Sequence, residues 1–144
     1  MSEATQLVDM ARDLLKRTSP VTAGLWPRAA ALLARNALEM AVDEYWTRKR
    51  IPLEPCPTFT QLLCLREYLD DPDLAGRVHH AWNALSRACH HHPYELAPTA
   101  AELEGLFETV ADFLTVESRE SAAKETGISR SRAQSSRSAN RARR

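Results

Sequence analysis

The 144 residues predict an all-α fold: a compact bundle of about five helices with a long central second helix, followed by a disordered basic C-terminal tail. Three observations predict it. Apolar residues recur at helical spacing through most of the chain, and no run alternates as a half-buried strand does. Proline and glycine act as punctuation between these stretches. After Ile128 the periodicity is lost in a run of Ser, Arg, Ala and Asn, a composition that buries too little surface to offset its ordering entropy.

The first helix is expected over residues 3–17. Leu7, Met10, Ala11, Leu14 and Leu15 share one face, and Ser19-Pro20 follows as a stop. The second starts near Pro27, a residue suited to a first helical turn, and runs to about Arg50, where Pro52, Pro55 and Pro57 prevent continuation. Leu32, Leu33, Ala37, Leu38, Met40, Ala41, Val42, Tyr45 and Trp46 cover well over half its circumference. Such a helix is either central or shared with a partner chain. A shorter third helix spans 58–69, with Thr58 as N-cap, and Asp70-Asp71-Pro72 makes a turn. The fourth runs from about Asp73 to His92. The fifth begins at a capping-box pattern, Thr99 with Glu102, and carries a stripe of Leu103, Leu106, Phe107, Val110 and Leu114 before Gly127.

The length suits one helical domain over 1–126 with a Ser/Arg-rich tail at 127–144. The formal net charge of zero hides an asymmetry. Residues 1–116 hold 11 Lys and Arg against 16 Asp and Glu, a net of −5, whereas 117–144 hold 8 against 3, a net of +5. The tail is expected to be dispensable for folding. There is no basic-then-apolar leader and no apolar run near ~20 residues, so a cytoplasmic protein without a membrane partner is expected. Cys56, Cys64 and Cys89 are odd in number and form no Cys-x-x-Cys pair, which argues for reduced thiols.

The chemistry gathers in Ser86-Arg87-Ala88-Cys89-His90-His91-His92-Pro93-Tyr94, which sets three of the five histidines beside an arginine at a helix end. Imidazoles move protons near neutral pH, and a guanidinium holds phosphate. On a helix, Leu74, Val78, Trp82, Leu85 and Cys89 form a core stripe, while His79, His80, Asn83, Ser86, Arg87, His90 and His91 lie on the other side. A solvated polar helix end accounts for these residues equally simply. Pro93 pushes the residue before it out of helical geometry, which frees His92 to swing toward Arg87.

The spacing Arg87-x4-His92, near the end of the penultimate helix of a small helical domain, resembles the Arg-x4–6-His signature of the HEPN superfamily (higher eukaryotes and prokaryotes nucleotide-binding). The long second helix with Ala34-Arg35-Asn36-Ala37-Leu38-Glu39 is similar to the corresponding helix in many members, so the resemblance covers about residues 5–116. It implies a metal-independent endoribonuclease, often a toxin or defence effector, working as a homodimer whose two motifs meet in one cleft. By this resemblance His92 transfers protons and Arg87 holds the scissile phosphate. His91 is the reserve imidazole, and His80 and Asn83 touch RNA or orient the motif. RNA and a cognate antitoxin or regulatory protein are the partners it implies. No cofactor is expected.

Two readings therefore stand. Arg and His crowded on one face favour the enzyme. Ala88, standing where many active members carry a polar residue, favours a noncatalytic dimeric adaptor or regulator that binds RNA, nucleotide or a partner protein. Arg35 and Glu39, four apart, are expected to form a helix-surface ion pair, with the alternative that Glu39 orients Arg87. His79 is expected to be a surface residue of little consequence. No metal site is expected, since equivalent histidine pairs stand three turns apart, and Trp26, Trp46 and Trp82 are expected to anchor the core.

Overall fold

The computed structural model describes residues 1–17, 25–90 and 94–141, with side chains described as far as 127. Five helices follow one another: α1 Glu3–Lys16, α2 Trp26–Lys49, α3 Thr58–Tyr68, α4 Pro72–Cys89 and α5 Ala100–Arg141. Among the described residues there is no strand. The all-α class and the long second helix are as expected. Two compact units divide the chain, Met1–Leu114 and Thr115–Arg144. The second carries the Ser/Arg-rich segment, whose side chains beyond 127 lie outside the described ones.

In the first unit α2 is central, packed against α1, α3 and α4. Its buried face is built largely of alanine: Ala30, Ala34, Ala37 and Ala41 recur at i, i+4, i+7 and i+11, all with 0% exposure. Such a surface admits close neighbours, and this corrects the expected face of α1. Ala4, Val8 and Ala11 are buried, whereas Leu7, Leu14 and Leu15 are half-buried and Met10 is exposed. Small side chains fill the centre of the interface, and the larger leucines sit at its margins. Ser2 caps α1 by accepting the Thr5 N–H at 3.2 Å, and Arg12 reaches Glu104 of α5 at 3.4 Å.

The end of α2 is a left-handed residue, Arg50 (φ 57), with the Ile51 N–H donated back to the Trp46 carbonyl at 3.2 Å before Pro52. Near this end lies the aromatic core. Tyr45 and Trp46 meet edge to face at 5.1 Å, Trp46 meets Tyr68 at 5.4 Å, and the Tyr45 hydroxyl donates to the Tyr68 carbonyl at 2.9 Å. Phe113 of α5 lies 6.0 Å from Tyr45. Gln61 then ties α3 down, donating from Nε2 to Asp43 and to the Cys56 carbonyl, each at 3.0 Å.

Four boundaries differ from expectation: α5, expected to end before Gly127, runs on to Arg141. Thr58 is the first residue of α3 and not its cap: Pro57 takes the cap position, and its carbonyl accepts the Thr60 and Gln61 N–H groups. Asp71 in the predicted turn caps α4 by accepting the Leu74 N–H at 3.0 Å, so the helix starts at Pro72. At the other end α4 stops at Cys89, because His90 is extended (φ −90, ψ 138) and its N–H turns back to the Arg87 carbonyl. The capping box at α5 forms as expected. The Thr99 N–H donates to Glu102 Oε2 at 2.7 Å and the Glu102 N–H to Thr99 Oγ1 at 3.2 Å.

Candidate functional site: a cavity at the end of the fourth helix

On α4 the core face and the polar face separate cleanly. Leu74, Ala75, Val78, Ala81 and Leu85 are buried. Of the expected core stripe, Trp82 and Cys89 are only half-buried. The opposite stripe, His80, Ala84, Arg87 and Ala88, follows i, i+4, i+7 and i+8 and forms one wall of a cavity of about 580 Å³. Two alanines between longer polar side chains leave the hollow. Its far wall is the segment from Glu95 to Thr99 with Glu102 and Leu106 of α5, and Arg28 of α2 and His90 complete it. The volume falls within the range of small-ligand pockets.

The lining thus brings together two guanidiniums, two imidazoles and two carboxylates. One carboxylate is already engaged. Glu102 accepts from the Thr99 N–H and from its hydroxyl at 2.9 Å, and these bonds hold its pKa below the ordinary carboxylate value.

Arg87 and His80 of the expected site residues therefore share a cavity. Asn83 is exposed on α4 but does not line it. His91 and His92 lie outside the described residues, although the helical spacing that set His91 on the Arg87 stripe ends at Cys89. His90 leaves the helix and enters the cavity lining instead.

Glu39 stands elsewhere. Its Oε1 accepts from Arg35 Nε at 2.9 Å and from Trp82 Nε1 at 3.0 Å, and it does not line the cavity. The Arg35–Glu39 pair forms as expected, and it does more than decorate a surface: it receives the indole of Trp82 from α4, while the Arg35 guanidinium lies 5.7 Å from the centre of that ring. Trp82 is thus an anchor by hydrogen bond at the α2–α4 seam. Cys89 lies on the same seam, where burial pushes its thiol above the ordinary value and the charge of Arg35, with a hydrogen bond from it, draws it partly back. Glu39 meets Trp82 and Arg35 meets Cys89, so α2 and α4 run antiparallel. This direction carries the start of α2 toward the end of α4, which is how Arg28 comes to line the cavity.

His79 is a correction. It is half-buried, its ring meets Phe59 edge to face at 5.4 Å, and its Nε2 is buried with no hydrogen-bond partner among the described residues. The packing of α3 on α4 covers it, which a helical wheel of α4 cannot register. Among the described residues no three His, Cys, Asp or Glu side chains cluster as metal ligands, the three cysteines are free, and no helix is long and apolar enough to cross a membrane. Comparison with known protein families, curated proteins and solved structures finds no match.

Proposed function

We propose that this chain is a metal-independent endoribonuclease of the HEPN type, a toxin or defence effector of the cytoplasm acting as a homodimer on RNA. The observation that carries the reading is the cavity itself, in which Arg87 shares a hollow with His80 and His90. Those groups suit phosphodiester transesterification. One imidazole takes the proton of a ribose 2′-hydroxyl, whose oxygen attacks the neighbouring phosphorus. A protonated imidazole supplies the leaving 5′-oxygen, so the products are a 2′,3′-cyclic phosphate and a 5′-hydroxyl. The Arg87 guanidinium offsets the charge that develops on the phosphoryl oxygens. His92 is assigned proton transfer by the resemblance, with His80 and His90 as the described imidazoles beside Arg87. A cognate antitoxin or regulatory protein would control such an activity.

A second reading rests on Ala88. Its methyl group lines the cavity directly after Arg87, where a polar side chain would face the substrate. In this reading the cavity binds RNA, nucleotide or a partner protein without cleaving. A single-turnover assay on mixed tRNA and mRNA with EDTA separates the two. Under the enzyme reading, wild type cleaves, and Arg87→Ala and His92→Ala each lose activity by about 100-fold or more while remaining folded. If wild type cleaves no faster than the double variant, the adaptor reading replaces it.

A further inference from the structure

We infer that Arg28, in the first turn of α2, is a second phosphate-holding residue of this cavity and binds the RNA backbone beside the phosphate held by Arg87. The inference rests on the RNA reading above and adds a residue to it. Charge is the first argument. Without Arg28 the lining sets one guanidinium, Arg87, against two carboxylates, Glu95 and Glu102, and a phosphodiester would meet net repulsion while the imidazoles are neutral. With Arg28 the formal charges balance, and each protonated imidazole then tips the hollow positive.

Position is the second argument. Arg28 comes from α2 and Arg87 from α4, so two separate elements bring an arginine each to the lining of one space. A strand carries a phosphate at every nucleotide, and two cations on different walls match consecutive phosphates better than one. The first turn of α2 itself carries no acidic residue.

The test uses the full chain and a fluorescein-labelled 2′-O-methyl oligoribonucleotide, which lacks the attacking hydroxyl and is not cleaved. Binding is titrated from 50 to 200 mM salt. Each phosphate contact to a single strand contributes about 0.7 to the slope of log affinity against log salt, so Arg28→Ala is expected to reduce that slope by about 0.7. Affinity should fall about tenfold at the low-salt end, the size of one charge-assisted contact. Arg28→Lys should restore the slope, and Arg66→Ala on α3 should leave it unchanged. Phenylglyoxal modification of wild type, read by peptide mass, needs no variant: bound oligonucleotide should protect Arg28.

A wild-type slope in Arg28→Ala, or equal modification of Arg28 with and without oligonucleotide, overturns the inference. If Arg28→Ala is unfolded by circular dichroism, protection decides. Wild type that cleaves RNA while Arg28 is neither needed nor protected sinks the Arg28 assignment alone. Wild type that binds through Arg28 without cleaving sinks the nuclease alone, and absence of binding sinks both.

Discussion

His79 shows how a single ring can be misplaced by periodicity and what that placement costs. Its Nε2 is buried without a hydrogen-bond partner among the described residues, and an unsatisfied buried polar atom is destabilising by about 1–3 kcal/mol. Its ring, by contrast, packs on Phe59. The two effects separate by substitution. His79→Leu keeps apolar contact and removes the orphan nitrogen, so urea unfolding should show it equal to wild type or more stable by about 1 kcal/mol. His79→Ala should instead lose about 1 kcal/mol through lost packing. At the start of α5, Glu102 has a folded-state pKa lowered by its two bonds from Thr99. A lowered carboxylate contributes stability that is fully present above its unfolded pKa and is lost as pH falls through the lower folded value. Glu102→Gln should therefore melt below wild type at pH 7, and the gap should close in acid. A gap of constant size across the titration would contradict the assigned cause.

At the scale of elements, the alanine face of α2 governs how near its neighbours come. Interior packing leaves little spare volume, and forcing added methylenes into it costs about 1–3 kcal/mol. Ala37→Leu, at a position with no exposure, is expected to destabilise by that amount in chemical denaturation, whereas Ala29→Leu, on the exposed side, should change little. The seam of Arg35, Glu39, Trp82 and Cys89 then sets α4 relative to α2. Both guanidiniums of the cavity depend on that setting, because Arg28 belongs to one helix and Arg87 to the other.

For the whole molecule, the proposed nuclease needs two copies. The resemblance places two Arg/His motifs in one cleft, and an isologous dimer is the simplest way to bring them together. Light scattering at micromolar concentration should give twice the 16.2 kDa chain mass. A concentration-independent monomer would remove the two-motif cleft. The apolar circumference of α2 does not by itself demand that dimer, since α1, α3 and α4 already pack against this helix.

Helix number, the Thr99–Glu102 cap, the Arg35–Glu39 pair and the polar face of Arg87 were all legible in the residues, because each depends on neighbours three or four positions apart. Thr58 and His90 depart from local pattern because a proline and a backbone turn settle those helix ends. The rest is long-range. Which face of α1 is buried follows from the alanines of α2, His79 is covered by α3, and Glu39 serves Trp82 across 43 positions of chain. Arg28 joins Arg87 only because α2 and α4 pack antiparallel, and no local spacing encodes the meeting of one helix start with another helix end. Periodicity specifies which side of a helix is apolar; the volumes and directions of packed neighbours specify what that side, and the polar one, will touch.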